Sequence, residues 1–336
     1  MVGYNTILLL FILLSGKCTP SGPSVSSDAN NARETATGMK TNNHLTTADL
    51  VRDIARHAAF NGFGELLLPH DDNKAYYNTS IKNIASLMPY HNAVNPREVV
   101  NAVNRLVDDA DSGKTIFYSF YNESQKKQDP RKTKTGIFFF RGDPDAPFAV
   151  ICPGGGFSYV GSLHEGFPLA SEISKKKLNA FVVRYRIGSE KWATEDLAYA
   201  IRFIFENAET LKVNTKNYSL WGGSAGARMV GNIVYYGVNG FGAGNYPKPV
   251  TAVIAYTAQS LYSKEFPATF ITVSADDGIA NVFIVDRRVQ NLKDEGVTVS
   301  YERYRNAGHG FGLGTGTDAA GWLDKAVAFW RSQMKP

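Results

Sequence analysis

Cysteine is scarce in this chain of 336 residues, which contains only Cys18 and Cys152. Cys18 falls in an N-terminal region that we expect to be removed, so the mature domain keeps a single thiol. One thiol cannot form an internal disulfide, which excludes a disulfide framework and leaves the hydrophobic core to hold the fold. Cys152 ends an apolar run and is predicted to pack as a small hydrophobic residue.

Long apolar runs are also lacking, and the run at Ile7–Leu14 is too short to span a bilayer. Its length suits the apolar core of a signal peptide, and small residues follow it. Cys18 suggests a lipoprotein signal as an alternative, but Lys17 stands where a small residue should precede a lipidated cysteine. We therefore expect residues 1–18 to be a signal peptide of a secreted or periplasmic protein, with lipidation as the second choice.

A one-sided charge and the common metal or nucleotide motifs are absent as well. Lys and Arg total 36 against 31 Asp and Glu, and basic runs such as Lys175–Lys177 are short. This pattern indicates a solvated basic surface rather than a nucleic-acid partner. There is no HExxH, no CxxC and no dinucleotide or flavin fingerprint, so neither a metal nor a cofactor is predicted.

Composition divides the rest of the chain into three parts. Residues 19–44 are rich in Ser, Thr, Asn, Gly and Pro, which predicts a flexible polar tether. Residues 45–112 look helical and are predicted to form an N-terminal, cap-like segment. Residues 113–336 are predicted to form the catalytic domain.

Two helices are predicted in the N-terminal segment. Thr47 is a candidate N-cap for a helix that continues to Ala59. Pro96 suits the first turn of a second helix. Four apolar residues lie on one side of that helix, namely Val99, Val103, Leu106 and Val107.

From Thr115 onwards, short apolar runs alternate with amphipathic stretches. The predicted strands are Thr115–Tyr121, Gly136–Arg141, Phe148–Cys152, Ala180–Tyr185, Tyr218–Trp221, Ala252–Tyr256, Thr269–Val273 and Val297–Tyr304. The predicted helices are Leu163–Lys176, Thr194–Thr210 (with Thr194 as N-cap), Ala225–Tyr236, Val282–Asp294 and Gly321–Met334. This alternation predicts an α/β fold with a mostly parallel sheet covered on both faces.

The stretch Trp221–Gly226 places a G-x-S-x-G pattern between a predicted strand and a predicted helix. In that setting the serine occupies a strained turn, and small neighbours such as Gly222 and Gly226 let the surrounding backbone approach. A glycine-rich turn with an incidental serine is the alternative, and the strand-to-helix context favours Ser224 as a nucleophile.

A second glycine run, Pro153–Phe157, follows another predicted strand. Backbone N–H groups of such a loop can bind the oxyanion of a tetrahedral intermediate, together with the N–H of Ala225. A phosphate-binding loop is the alternative, but its Lys and Ser/Thr are absent.

A serine hydroxyl needs an adjacent base, and six histidines are available. His309 lies in a glycine-bracketed loop beyond the last predicted strand and is the preferred base, with His164 as runner-up. The other four are expected to be surface or packing residues: His44, His57, His70 and His91.

The acid that orients the base should follow the strand between the serine and the histidine. The strand at Thr269–Val273 leads to Asp276 and Asp277, and we prefer Asp277 because it begins the turn. Asp286 is expected to be a charge on a helix surface.

Residues 136–334 resemble the acetyl-esterase and feruloyl-esterase-like branch of the α/β hydrolases, near the hormone-sensitive-lipase-like esterases. The resemblance rests on the motifs PGGGF, GGSAG, ADDG and GHGFG, in that order. It implies an α/β-hydrolase fold, and an oxyanion hole formed by Gly155, Gly156 and Ala225. It departs at Pro153, where a histidine is usual, and at Gly223, where an acidic residue often precedes the serine. Both departures argue against a close assignment to the lipase-like subgroup.

The resemblance further implies hydrolysis of small-molecule or carbohydrate esters through an acyl-enzyme. Bulky side chains in the two loops are expected to line the substrate pocket and favour short acyl groups: Phe157, Tyr159, His164 and Phe311. Two alternatives remain. A serine peptidase of the prolyl-oligopeptidase type would need a propeller domain, and a non-catalytic binding protein would commonly lack a triad member.

Overall fold

The computed structural model describes residues 43–70 and 73–335. The predicted signal peptide and nearly all of the predicted tether lie outside the described residues. In the described part the strands are β1 (Phe117–Tyr118), β2 (Gly136–Phe140), β3 (Pro147–Cys152), β4 (Asn179–Arg184), β5 (Asn214–Gly223), β6 (Thr251–Ala255), β7 (Ala268–Ser274) and β8 (Val299–Tyr304).

The α-helices are α1 (Val51–Ala55), α2 (Pro96–Asp111), α3 (Glu123–Gln128), α4 (Phe167–Lys175), α5 (Glu190–Glu206), α6 (Ala208–Leu211), α7 (Ala225–Tyr236), α8 (Val282–Asp294) and α9 (Trp322–Gln333). Short 3₁₀ helices occupy Ala58–Phe60, Gly64–Leu67, Lys74–Asn78, Ile81–Leu87, Pro130–Lys134 and Asn239–Phe241. A π-helical turn at Ser162–Gly166 leads into α4. Among the described residues, none of the helices is both long and apolar enough to cross a bilayer.

All eight strands form one sheet in the order β1-β2-β4-β3-β5-β6-β7-β8. Only β2 runs against its neighbours, and the pairs from β4 to β8 across the sheet are parallel. The predicted mostly parallel α/β sheet is therefore confirmed. Because parallel strands all end at the same edge, the loops after β3, β5, β7 and β8 meet there.

Alternate strand residues feed two separate apolar clusters, one on each face of the sheet. Ile151 joins the cluster with α2, α4 and α9, whereas Val150 and Cys152 join the cluster with α5, α7 and α8. Cys152 is fully buried there, and burial raises the pKa of its thiol. The strands are thus covered on both faces, which is why they read as continuous apolar runs.

The N-terminal segment packs on the face that also carries α4 and α9. The helix predicted from Pro96 forms as α2, and the side chain of Asn95 accepts a hydrogen bond from Arg97 N at its start. The four apolar residues on its predicted inner side are fully buried: Val99, Val103, Leu106 and Val107. Most of this segment therefore extends the core on one face of the sheet.

The first predicted helix, from Thr47 to Ala59, is wrong in extent, since α1 begins only at Val51. The backbone before it pairs with a later stretch: Lys82 N donates to Thr47 O at 2.8 Å, and Ile81 N donates to Asp49 O at 2.8 Å. Residues 47 and 48 form a turn, and the carbonyl groups of Thr47 and Asp49 are taken by these bonds rather than by the hydrogen bonds of a helix.

Other boundaries also differ from the prediction: β5 begins at Asn214 rather than Tyr218, and α4 begins at Phe167 rather than Leu163. The first strand is limited to Phe117–Tyr118. The helix predicted from Thr194 begins at Glu190, and Thr194 is buried inside it with its hydroxyl donating to Glu190 O at 2.8 Å. A threonine can make this bond to the preceding turn within a helix, so a threonine in sequence does not by itself mark a helix start.

Candidate active site

Ser224 stands at a sharp turn between β5 and α7. Its φ of 51° and ψ of −116° lie in a region that costs an L-residue conformational energy. Gly226 makes this turn possible, since a Cβ there would lie 1.9 Å from the carbonyl oxygen of Cys152 in β3. The surrounding sheet therefore holds the serine in a strained conformation that presents its hydroxyl to solvent at the C-terminal edge.

His309 reaches Ser224 from the loop after β8. Its Nε2 lies 2.8 Å from Oγ of Ser224, and its side chain is 4% exposed. Glycines on both sides, Gly308 and Gly310, adopt positive φ of 68° and 61°. The side-chain amide of Asn92, from the N-terminal segment, donates to the carbonyl oxygen of His309 at 2.8 Å. The position of His309 is therefore fixed by a hydrogen bond to its backbone carbonyl as well as by the contact of its ring.

Asp277, in the turn that follows β7, contacts the other ring nitrogen. Its two carboxylate oxygens lie 2.8 and 2.9 Å from Nδ1 of His309, and its side chain is fully buried. Oδ1 also accepts hydrogen bonds from Ile279 N at 2.8 Å and Ala280 N at 2.7 Å. A carboxylate held in this way keeps one imidazole tautomer and stabilises the imidazolium.

Asp286 and His164, two other residues considered from sequence, have different partners. Asp286 accepts hydrogen bonds from Tyr301 and Arg303 of β8. His164, the runner-up base, is buried with its Nε2 3.0 Å from Gly310 O. Serine, imidazole and carboxylate therefore meet as Ser224, His309 and Asp277, an arrangement that can transfer a proton from the hydroxyl and generate a nucleophile.

The glycine loop after β3 lies beside the serine. Gly156 (φ 62°) and Ala225 line the same cleft as Ser224 and His309. Ala225 is the first residue of α7, where backbone N–H groups have no acceptor within the helix. Gly155, with φ of 132°, lies instead against the backbone of Tyr159. Two of the three predicted oxyanion residues thus border the cleft.

The cleft has a volume of about 420 Å³ and opens to solvent. Its lining is Gly156, Phe157, Glu190, Ser224, Ala225, Arg228, Tyr256, Thr257, Ala258, Ile279, Ala280 and His309. On one wall Arg228 forms an ion pair with Glu190 at 2.7 Å, and each side chain is partly exposed. Apolar groups and one charge pair therefore surround the serine.

Of the four residues predicted to line the pocket, Phe157 does so and the other three do not. Tyr159 and His164 are 1% exposed, and Phe311 is fully buried. Phe311 packs edge-on against Tyr256 and Trp322, as part of the core beneath the site. A large aromatic ring in an edge loop gains more from such packing than from an exposed wall, which is the reason for this difference.

Sequence reasoning missed Tyr256 and Glu165, and it placed His91 among surface or packing residues. Tyr256 has a positive φ of 38°, lines the cleft, and packs edge-on against the ring of His309. Glu165 is buried behind the glycine loop, and His91 is buried beside it. The only signal for Glu165 was its place just after the glycine loop, and an isolated glutamate in a helical pattern does not mark a site.

The chain is related in sequence to known proteins at low identity over part of its length. No family model matches the chain. An acetylxylan esterase of Xylanibacter ruminicola is 24% identical over 212 residues, which cover 53% of this chain and 44% of that esterase. The chain therefore matches less than half of the length of this curated relative.

Two solved structures resemble the chain at low identity. An acetyl ester-xyloside bifunctional hydrolase from Caldicellulosiruptor lactoaceticus has a TM-score of 0.57 and 18% identity, covering 64% of this chain and 95% of that one. An α/β-hydrolase enzyme from a deep-sea metagenome library has a TM-score of 0.51 and 20% identity, covering 59% and 92%. Together with the strand order, these likenesses show that the chain has the α/β-hydrolase fold.

Proposed function

We propose that this protein is a serine-dependent hydrolase of carboxylic esters that works through an acyl-enzyme on Ser224. The observation that carries the proposal is the continuous contact from Ser224 Oγ through both ring nitrogens of His309 to Asp277, at the mouth of an open cleft. Hydroxyl, base and orienting acid are the three parts that nucleophilic acyl transfer by serine requires.

In the first half-reaction, Ser224 Oγ attacks the ester carbonyl and passes its proton to Nε2 of His309. The carbonyl π electrons move to oxygen, and backbone N–H groups of the glycine loop and of Ala225 stabilise the resulting oxyanion. Asp277 remains ionised and stabilises the imidazolium. The intermediate collapses, the C–O bond to the alcohol breaks, and His309 returns the proton to the leaving oxygen.

In the second half-reaction, water takes the place of the alcohol. His309 removes a proton from that water as its oxygen attacks the acyl carbon, and the same N–H groups hold the second oxyanion. Collapse breaks the bond to Ser224, which regains a proton from His309, and releases the carboxylic acid. The steps use Ser224, His309 and backbone groups that border the cleft, with the buried Asp277 behind the imidazole.

Short-chain acyl esters of carbohydrates are the proposed substrates. The cleft lies near the small end of the 300–1,000 Å³ typical of ligand pockets, which suits a small acyl group. Its Arg228–Glu190 pair offers donors and acceptors for alcohol hydroxyls. The relative named as an acetylxylan esterase supports the same class. We further propose that the protein is exported by the signal peptide predicted at residues 1–18.

Fluorophosphonate labelling tests the proposed nucleophile. The wild-type protein should take up one equivalent of probe and hydrolyse p-nitrophenyl acetate. Ser224→Ala should take up none and should keep only the rate that the oxyanion site supports without a nucleophile, roughly 10³–10⁴-fold over water. Ser332→Ala, at an exposed position near the end of α9, is the matched control and should behave as wild type. Wild-type activity in Ser224→Ala would disprove the assignment, and a wild-type protein that neither labels nor hydrolyses would indicate a non-catalytic protein.

An ester panel tests the proposed substrates. It should include acetylated xylan oligomers, feruloyl esters, p-nitrophenyl esters of graded length, and short proline-containing peptides as the comparison for a peptidase. Acetyl release from the oligomers with the highest kcat/KM supports the proposal. Cleavage of the peptides in preference to every ester would favour a peptidase instead.

A further inference from the structure

A buried carboxylate fills the space above two glycines of the site. A Cβ placed on Gly223, immediately before the nucleophile, would lie 2.6 Å from Oε2 of Glu165. A Cβ on Gly154, in the glycine loop, would lie 2.7 Å from the same oxygen. The carboxylate of Glu165 therefore sits between the glycine loop and the strand that carries Ser224. Because residue 223 is glycine, the carboxylate of Glu165 can occupy the space that a side chain at this position would take.

Three groups surround this carboxylate. Gly154 N donates to Oε2 at 2.5 Å, so the bond joins Glu165 directly to the glycine loop. The hydroxyl of Tyr256 lies close by, because a Cβ on Gly223 would be 2.6 Å from Oε2 of Glu165 and 2.9 Å from the Tyr256 hydroxyl oxygen. Nε2 of His91 lies 3.1 Å from Oε1, and the side chains of His91 and Glu165 are each 1% exposed. Glu165 thus links the loop, the cleft wall and the N-terminal segment.

The carboxylate is ionised in this site. Burial by itself raises the pKa of Glu165, but the adjacent His91 and the N–H of Gly154 outweigh it and lower the pKa to about 2. Displacing a buried charge from such partners costs free energy, because each broken contact would leave a buried polar group unpaired. The loop and the carboxylate are therefore held in one arrangement.

His91 belongs to a short stretch that touches both loops of the site. Its Nδ1 lies 2.8 Å from the hydroxyl of Tyr159, which also accepts a hydrogen bond from Tyr90 N at 3.2 Å. The neighbouring Asn92 donates through its backbone to His309 O at 3.0 Å. Residues 90–92 thus tie the glycine loop and the histidine loop to the same piece of backbone.

We propose that Glu165 is a positioning residue, which with His91 and Tyr256 sets the glycine loop relative to Ser224 so that its N–H groups face the developing oxyanion. Glu165 touches no reacting atom and acts through Gly154. The proposal rests on the ester-hydrolase function proposed above. Its effect is expected in the transition state, because the oxyanion forms only there, and losing one oxyanion donor commonly costs about 10²–10³ in kcat.

Glu165→Gln tests the proposal, since it keeps the size of the side chain and removes its charge and one acceptor. We expect kcat for p-nitrophenyl acetate to fall by about 10–100-fold, with KM changed by less than about threefold. Glu172→Gln is the matched control: Glu172 lies on the exposed side of α4 and pairs with Lys175, so its variant should keep wild-type kinetics. His91→Gln is the second variant, and it is used if Glu165→Gln does not fold. We expect its kcat to fall as well, but by less than that of Glu165→Gln.

A transition-state analogue separates positioning from a merely structural role. A trifluoromethyl ketone adds to Ser224 and places an oxyanion in the same hole, so its affinity should fall by the same factor as kcat/KM. Rates are expressed per fluorophosphonate-labelled site. If kcat per labelled site and ketone affinity match wild type, while only the labelled fraction or the melting temperature falls, Glu165 is structural and the inference is overturned. That result would leave the esterase proposal intact, whereas a wild-type protein that hydrolyses no ester would overturn both.

Discussion

Asp276 and Asp277 are neighbours in sequence, but their carboxylates bind opposite parts of the histidine loop. Asp277 contacts Nδ1 of His309 at 2.8 Å. Asp276 accepts hydrogen bonds from Gly308 N at 2.9 Å and from the hydroxyl of Ser274. Asp277 thus contacts the imidazole ring, whereas Asp276 contacts the backbone of the loop that carries it. Substitution of each residue should separate their roles.

Replacing each aspartate by asparagine should give very different kinetics. In Asp277→Asn, the amide can no longer hold the required tautomer of His309 or stabilise its charge, so kcat should fall by roughly 10³–10⁴-fold near pH 7. In Asp276→Asn, the amide oxygen can still accept from Gly308 N, so kcat should fall less than about tenfold. Steady-state kinetics with p-nitrophenyl acetate measures both, and a larger loss in Asp276→Asn would reverse the assignment.

Acyl-chain preference should depend on Phe157. This ring lines a cleft of about 420 Å³, so we expect kcat/KM to be higher for acetyl than for octanoyl esters. Methylenes that fit a pocket improve binding by up to ~1–3 kcal/mol each, so a decline with chain length indicates a steric block. Phe157→Ala should raise the octanoyl value towards the acetyl value, and Tyr235→Ala, an exposed ring at the far end of α7, should not. A steady rise from acetyl to octanoyl in the wild type would indicate an open groove.

Gly226→Ala should destabilise the fold as well as the site. The added Cβ would lie 1.9 Å from Cys152 O, a contact that only a backbone shift can relieve. Overpacking of this kind costs about 1–3 kcal/mol or more of the free energy of unfolding. Gly278→Ala is the control, because a Cβ there has no neighbour within 4 Å. Urea unfolding of the two variants should differ clearly, and equal midpoints would show that the close approach of β3 to α7 is not rigid.

Stability should fall as the pH is lowered from about 6.5 to 4, because of His164. Burial first, and then the neighbouring His91, lower the pKa of His164 to about 4, from an ordinary value of 6.5. In this range the unfolded chain binds a proton that the folded protein rejects, so stability is present above pH 6.5 and lost below it, by roughly 3 kcal/mol.

Urea midpoints measured between pH 7.5 and 4 test this dependence. His164→Gln should flatten the curve in that window, whereas Ser332→Ala, an exposed position that carries no titratable group, should leave its slope unchanged. The opposite result, a slope in His164→Gln as steep as in wild type, would assign the acid sensitivity to other groups. Glu165, with a pKa lowered to about 2, should add a further loss of stability below about pH 4.5.

Local sequence patterns were sufficient for most elements of the sheet and for the turn that carries Ser224. Strands buried on both faces read as short apolar runs, and α7 and α8 have the predicted bounds. The turn at Ser224 could be recognised because the close approach of the backbone requires glycines, and these glycines are near Ser224 in the sequence. The N-terminal segment was harder to predict, since the carbonyl groups of Thr47 and Asp49 accept hydrogen bonds from residues 82 and 81, which are distant in sequence.

The residue patterns therefore predict an α/β sheet with a serine at a strained strand-to-helix turn, followed along the chain by a candidate aspartate and a candidate histidine. The packing of the whole chain decided which of two adjacent aspartates meets His309, because both follow the same strand and differ only in direction. It also decided that Tyr159, His164 and Phe311 lie beneath the cleft, and that Glu165 meets His91 over a separation of 74 residues. Contacts between segments that are distant in sequence depend on how whole helices and strands pack, and a local sequence pattern does not predict that packing.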